Sequence, residues 1–151
     1  MNYSKRMKLL RTYDLITQEN MAKILGISRT TYKEYELQNS IIPIQHLNNF
    51  CNYFNISIDY LFDLTDKNSY INSKKNINKA LLTKRLKKLR NEFGLSQIQM
   101  SKELNVDNST ISKYERGKNL IATPFLYQIC KKYNISADYL LGKIDEPKYL
   151  K

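Results

Sequence analysis

The chain has 151 residues, with 25 Lys and Arg against 14 Asp and Glu, which gives a formal net charge of +11. This excess makes polyanions the first class of partner to expect, whereas two Cys and one His cannot supply a zinc ligand set or a His-based catalytic site. No apolar run approaches a membrane span, and the first residues lack the apolar segment of a secretory signal. These features favour a soluble, cytoplasmic, helical protein that is not an enzyme and needs no metal or cofactor.

The two halves of the sequence repeat each other at a shift of 79 residues. Residues 6–66 align with the second half without a gap, and 21 of the 61 aligned positions are identical. We therefore predict two domains from a tandem duplication, residues 1–66 and 80–151, each of a size that can fold alone. A basic, polar linker is predicted at residues 67–79.

The first unit is predicted to contain five short helices. Residues that favour a helix N-terminus mark four of the helix starts, at Thr17, Ser28, Pro43 and Ser57. The fourth helix is expected to turn Cys51, Tyr53 and Phe54 toward the core. The stretch Ile41–Ile44 before it is interpreted as an exposed apolar loop.

The second unit shows the same five-helix pattern more clearly. Ser96 and Gln99 fit a capping box at the start of its second helix, and Asp107 is expected to cap the third. Pro124 is expected at the first position of the fourth helix, and Ser136 at the cap of the fifth. Because no segment alternates with a period of two, the predicted fold is all-α.

The segments Leu89–Gln97, Met100–Leu104 and Thr110–Gly117 together resemble the helix-turn-helix domains of the phage repressor and Cro family, also called the XRE family. The first unit is similar but departs from the pattern, since Leu15 and Gln38 stand where the family has Gly. The resemblance implies two lambda repressor-like domains in tandem and double-stranded DNA as the partner.

In such a domain the third helix lies in the major groove. The residues of the second unit expected to contact or flank the groove are Asn108, Ser109, Thr110, Ser112, Lys113, Arg116, Lys118 and Asn119. An Asn side chain can pair with adenine and a Lys side chain can donate to guanine. Gln97 opens the second helix, and the resemblance implies that it holds a backbone phosphate.

The corresponding candidates in the first unit are Gln18, Arg29, Thr30, Thr31 and Lys33. However, Glu34 stands where the second unit has a Lys, and a carboxylate is repelled by phosphates. Residues 1–66 hold seven basic and seven acidic residues, whereas residues 80–151 hold fourteen and seven. We therefore expect the first unit to bind DNA more weakly, or to bind something else.

Two Arg–Glu combinations recur at the 79-residue shift. Arg11 with Glu36, and Arg90 with Glu115, occupy positions at which the family has a buried ion pair between the first and third helices. The resemblance therefore implies a structural role for these four residues, not a contact with DNA.

Two functions are consistent with these patterns. The first is a sequence-specific transcriptional regulator, most simply a repressor that occupies promoter DNA. The alternative is a DNA-anchored adaptor or inhibitor whose residues 1–66 bind a protein partner or a second copy of the chain. One chain acting alone predicts an asymmetric DNA site, and a homodimer predicts a palindrome. Neutral charge and the apolar Ile41–Ile44 stretch favour the dimer.

Overall fold

The computed structural model describes residues 2–150, and these form two compact helical units that divide between Ile71 and Asn72. The helices of the first unit are α1 (Tyr3–Tyr13), α2 (Gln18–Leu25), α3 (Arg29–Leu37), α4 (Ile44–Phe54) and α5 (Ile58–Leu61). Those of the second unit are α6 (Lys79–Glu92), α7 (Gln97–Leu104), α8 (Asn108–Glu115), α9 (Thr123–Tyr133) and α10 (Ala137–Leu140). The prediction of an all-α fold with five helices in each unit is confirmed. In residues 2–150, no helix combines the length and the apolar character needed to cross a membrane.

Side-chain caps account for most of the helix starts. The hydroxyl oxygens of Thr17, Ser28 and Ser57 each accept a hydrogen bond from the backbone N–H three residues later. At the start of α7, Ser96 accepts from the N–H of Gln99, while the Gln99 side chain accepts from the N–H of Ser96. These bonds satisfy amides that the first helical turn leaves without an acceptor.

Two details at the helix starts of the second unit differ from the predictions. Asp107 occupies the N-cap position of α8, but its carboxylate accepts the Ser109 hydroxyl at 3.0 Å instead of a backbone amide. The fourth helix begins at Thr123, so Pro124 is its second residue and not its first. Proline fits there too, because the N–H groups of the first turn have no acceptor within the helix.

Burial corrects two expectations about apolar residues in the first unit. Ile42 and Ile44 are each only 2% exposed and belong to the core, so of the predicted apolar loop Ile41 alone, at 62%, faces solvent as a large apolar side chain. Tyr53 is 49% exposed, although Cys51 on the same helix is fully buried. Tyr53 packs edge-on against the half-buried Phe54, and it is Phe54 that contacts the fully buried Phe50.

The predicted linker segment makes hydrogen bonds with both units. The Asn68 carbonyl accepts from the Ser57 N–H at 2.6 Å, within the first unit. In the second unit, the Lys74 N–H donates to the Lys143 carbonyl at 2.9 Å, and Asn78 caps α6.

Left-handed backbone positions repeat between the units at the 79-residue shift. Five positions of the first unit with positive φ have a counterpart with positive φ in the second; the pairs are Leu15 and Gly94, Gly26 and Asn105, Gln38 and Gly117, Asn55 and Asn134, and Asp63 and Gly142. Leu15 (φ 58°) and Gln38 (φ 64°) therefore keep the backbone conformation that glycine adopts in the second unit. A residue with a Cβ is strained in this conformation.

Replacing Leu15 with Gly is expected to raise the free energy of unfolding of the first unit by about 1 kcal/mol. The side chain is 91% exposed, so little packing is lost when it is removed. The matched control is Gly94→Leu, which should destabilise the second unit by a similar amount, because no atom lies within 4 Å of a Cβ at Gly94 and only the backbone is strained. Urea unfolding followed by circular dichroism measures both changes. A loss of stability in Leu15→Gly would contradict the strain argument.

Candidate nucleic-acid interface

The helix-turn-helix of the second unit consists of α7, a short turn and α8. Asn105 takes a left-handed conformation at the end of α7, which lets the chain reverse within three residues. One face of α8 buries Ile111, Tyr114 and Glu115 against the rest of the unit. The opposite face of α8 is therefore the one presented to solvent.

This solvent-facing side of α8 carries most of the predicted contact residues. Exposed side chains on it and just beyond its end are Asn108, Ser109, Lys113, Arg116, Lys118 and Asn119; Thr110 and Ser112 are half-buried. Within α8, Ser109 and Lys113 lie one turn apart beside Asn108, and Arg116, Lys118 and Asn119 directly follow the end of the helix; we call this exposed polar surface the α8 face. This surface offers hydrogen-bond donors of the kind that read base edges and neutralise phosphates.

Gln97 is placed differently from a residue that only faces solvent. It is half-buried at the first position of α7, and its side-chain amide donates to the Glu115 carboxylate at 3.1 Å. A second amide hydrogen stays available to an acceptor outside the unit. The carboxylate thus fixes the orientation of an amide at the helix N-terminus, where a phosphate is favoured.

Arg90 and Glu115 form a buried ion pair between α6 and α8, as the resemblance implied. Two parallel hydrogen bonds join them, at 2.6 and 2.9 Å, and Arg90 also donates to the Leu95 carbonyl at 2.8 Å. Both residues are less than 10% exposed. The hydrogen bond to Glu115 raises the pKa of Arg90 despite its burial. The pair fixes α8 on the first helix of its unit.

The first unit repeats this buried arrangement. Arg11 donates to both oxygens of Glu36, at 2.7 and 3.0 Å, and to the Ile16 carbonyl at 2.7 Å. Gln18 donates to Glu36 at 3.1 Å. Burial by itself would raise the pKa of Glu36, but hydrogen bonds, the largest from Arg11, hold it below its usual value. The network of three side chains is therefore common to both units.

The solvent face of α3 differs in chemistry from the α8 face. Arg29, Thr30 and Lys33 are exposed, while the half-buried Thr31 shares a hydrogen bond of 2.8 Å with the Ser28 hydroxyl. One turn after Lys33, the exposed residue is Leu37, where the second unit has an Arg. The first unit thus presents a mixed surface at the position of the basic α8 face.

A second pair of equivalent arginines, Arg6 and Arg85, was missed by the sequence reasoning. The Arg6 guanidinium lies 4.6 Å from the ring centre of Tyr60, and that of Arg85 lies 4.1 Å from the ring centre of Tyr139. The available signal was the identity of both the Arg and the Tyr at the 79-residue shift. These cation–π contacts join the first and fifth helices of each unit.

Comparison with known proteins agrees with this geometry. The family described as "Helix-turn-helix domain" matches residues 5–67, and the family described as "Helix-turn-helix" matches residues 86–140. The chain therefore carries two helix-turn-helix domains in tandem, of the Cro/C1 or XRE type.

Several curated proteins are similar to part of the chain. The HTH-type transcriptional regulator ImmR of Bacillus subtilis is 40% identical over 67 residues, 44% of this chain and 53% of its own. The uncharacterized HTH-type transcriptional regulator YobD of the same species is 31% identical over 64 residues, 42% of this chain and 57% of its own. The antitoxin PezA of Streptococcus pneumoniae is 27% identical over 63 residues, 42% of this chain and 40% of its own. The chain thus spans about half the length of these relatives, and no solved structure matches it.

Proposed function

We propose that this protein is a sequence-specific transcriptional regulator that binds double-stranded DNA with its second unit. The observation that carries the proposal is the α8 face, where exposed Asn108, Lys113 and Arg116 lie opposite a buried, rigidly paired side of the same helix. Two relatives, ImmR and YobD, are described as transcriptional regulators. A role on DNA also implies a cytoplasmic location.

In the proposed complex the two kinds of contact have different roles. Asn108 and Lys113 reach base edges in the major groove and set the sequence preference. Gln97, held by Glu115, donates to a backbone phosphate and positions the unit on the duplex. Ser109 also faces the base edges, Thr110 and Ser112 contact phosphate or a thymine methyl group, and Arg116, Lys118 and Asn119 flank the groove. The net charge of +7 over residues 80–151 supplies attraction that does not depend on sequence.

The sign of regulation that we propose is repression, by occupation of promoter DNA. Footprinting with the full chain on the DNA upstream of its own gene is expected to reveal a protected site of about 15–20 base pairs. Transcription from that DNA in a purified system should fall as protein is added. Absence of any protected site, there and in a selection from random DNA, would overturn the DNA-binding role. A rise in transcription would overturn repression alone.

A second role is proposed for the first unit, which is protein binding. Seven large apolar side chains of its helical repeat are at least 40% exposed: Leu9, Tyr13, Leu15, Ile24, Leu37, Ile41 and Tyr53. At five of these positions the second unit has a charged residue: Lys88, Glu92, Glu103, Arg116 and Lys132. Since the two units share one fold, the difference reflects the surface and not the core. A unit with zero net charge and exposed apolar side chains suits a protein surface better than a phosphate backbone.

If the first unit nevertheless binds DNA, its contacts with the groove would come from Arg29, Thr30, Thr31 and Lys33, and Gln18 would bind a backbone phosphate. The footprint distinguishes DNA contact by both units from DNA contact by the second unit alone. A single chain on an asymmetric site with two unlike halves supports DNA contact by both units. Protection by the second unit alone supports the protein-binding role.

A further inference from the structure

The second unit holds its own C-terminal segment across the face formed by α6 and α10. Arg85 donates to the Ile144 carbonyl at 2.8 Å and to the Asp145 carboxylate at 2.6 Å, while it lies over the Tyr139 ring. The segment is therefore fixed at one end by a carbonyl and a carboxylate that meet the same guanidinium.

Two turns further along α6, the same segment is fixed again. Lys148 Nζ lies 2.6 Å from the Glu92 carboxylate, and the Tyr149 hydroxyl donates to it at 3.3 Å. The Lys148 carbonyl also accepts from the Ser136 N–H at 2.8 Å. The segment thus runs parallel to α6. Its acidic residue, Asp145, precedes Lys148 and Tyr149, which contact Glu92, by three and four positions.

The first unit also has a segment after its fifth helix, and the Ser57 N–H donates to the Asn68 carbonyl of that segment at 2.6 Å, but Leu9 and Tyr13 on the corresponding face of α1 stay exposed. Arg6 keeps its place over the Tyr60 ring, but its guanidinium lies 3.7 Å from the Asp63 carboxylate, and Asp63 is about half exposed. The Nε atom of Arg6 is buried and makes no hydrogen bond within the part of the chain that the structure describes. The Arg6 side chain as a whole is 19% exposed, so a docking carbonyl or carboxylate can contact it and add charge-assisted hydrogen bonds to the long contact with Asp63.

Apolar side chains extend this face into a groove of about 330 Å³. It is lined by Arg6, Leu9, Leu10, Tyr13 and Tyr60. Leu9 is 55% and Tyr13 87% exposed, and they lie one turn apart on α1. They occupy the positions of Lys88 and Glu92 in the second unit. The end of the face that binds Lys148 in the second unit is therefore apolar in the first unit.

We propose that this groove binds an extended segment of a protein partner. The segment presents a backbone carbonyl and a carboxylate to Arg6 and, three to four residues later, an apolar or aromatic side chain to Leu9 and Tyr13. This inference rests on the protein-binding role proposed for the first unit. It follows from charge complementarity at Arg6 and from the binding mode that the second unit uses within its own fold. A phosphate backbone does not fit, because two exposed apolar side chains adjoin the single cation.

The proposal is tested with a synthetic peptide and the full-length chain. The probe is a fluorescently labelled copy of residues 142–150 carrying the substitution Lys148→Leu, which follows the stated chemistry. Fluorescence anisotropy is expected to show saturable binding with a dissociation constant on the order of 100 μM or below. A peptide that also carries Asp145→Asn should bind at least fivefold more weakly.

The matched variant is Tyr13→Glu, which introduces the residue that the second unit has at the aligned position and so preserves the fold. It should weaken binding of the Lys148→Leu peptide at least fivefold, because the substituted Leu then faces a carboxylate. It should strengthen binding of the unsubstituted peptide, because the introduced carboxylate can pair with Lys148 of the peptide. Arg6→Gln should weaken both peptides. A melting curve of each variant shows that the first unit is still folded.

Three outcomes would overturn the proposal. The first is the absence of saturable binding at about 1 mM peptide, and the second is binding that neither Tyr13→Glu nor Arg6→Gln alters. The third is a dimer in sedimentation that Tyr13→Glu dissociates and the peptide does not, which would assign the groove to a second copy.

A footprint lost in Tyr13→Glu would place this face on DNA and overturn the protein-binding role itself, whereas an unchanged footprint with lost peptide binding supports the proposal.

Discussion

Replacing Arg90 with Ala is expected to lower the free energy of unfolding of the second unit by about 3–5 kcal/mol. The change leaves the Glu115 carboxylate, which is 8% exposed, without its cation and removes the hydrogen bond to the Leu95 carbonyl. Since single domains have roughly 5–15 kcal/mol of stability, the second unit would be partly or fully unfolded at moderate temperature. Calorimetry of the full chain, with amide hydrogen exchange to assign each transition to a unit, measures the effect.

The control is Arg116→Ala, which removes an exposed arginine just past the end of the same helix. It should leave the melting temperature nearly unchanged, since no buried group loses its partner. The double variant Arg90→Ala with Glu115→Ala should recover part of the lost stability, because the stranded carboxylate is gone. An unchanged melting temperature combined with lost DNA binding in Arg90→Ala would refute the structural role of the pair.

Arg11→Ala is the corresponding change in the first unit and adds a pH dependence. Because hydrogen bonds hold the pKa of Glu36 below its unfolded value, the pair stabilises the folded unit at neutral pH. That contribution is lost as the pH falls through the lowered pKa of Glu36. In Arg11→Ala, the stability of the first unit should therefore be lower at pH 7 and should fall less steeply toward acid pH.

Lys113→Ala and Asn108→Ala are each expected to weaken specific DNA binding by about 1–3 kcal/mol, or roughly 5- to 150-fold, and to relax the preference for one base pair. Both side chains are exposed on the α8 face, so the variants should fold normally. Gel-shift titrations on the footprinted site and on single-base variants of it measure affinity and preference together. The matched control is Glu34→Ala, at the position of the first unit that aligns with Lys113, which should change affinity by less than about twofold.

Gln97→Ala distinguishes a positioning residue from a base-reading one. It should weaken binding by a similar factor on all sequences, because a phosphate contact carries no base information. It should also lower the stability of the second unit slightly, since Glu115 loses a hydrogen-bond donor.

If Lys113→Ala and Asn108→Ala left both affinity and base preference intact, α8 would not be the recognition helix.

The two units show why some departures from the family pattern could be located in the sequence but not interpreted there. Leu15 and Gln38 stand out in the sequence as replacements for glycine, but the sequence does not show whether the backbone changes there. The backbone is unchanged, because the surrounding helices hold both residues in the left-handed conformation. The effect of the replacements is therefore a local strain and, at Leu15, an exposed apolar side chain.

The buried ion pairs were predictable because they depend on residues at fixed helical positions. The role of Gln97 was only half predictable. Its place at the start of α7 follows from the cap at Ser96, but its bond to Glu115 depends on how α8 crosses α7. The groove beside Arg6 was not predictable at all, because it results from the path of the chain after α5.

The amino-acid sequence by itself determined the duplication, the ten helices, most of their caps and the difference in charge between the units. These properties depend on side-chain periodicity and on bonds between residues three or four positions apart, which are local. Only the tertiary structure decided that Ile42 and Ile44 are core, that Tyr53 is exposed, and that the segment after the fifth helix hydrogen-bonds closely to Arg85 but meets Arg6 only at 3.7 Å. Burial of a side chain depends on which distant segment packs over it, and residues far apart in the chain set that together.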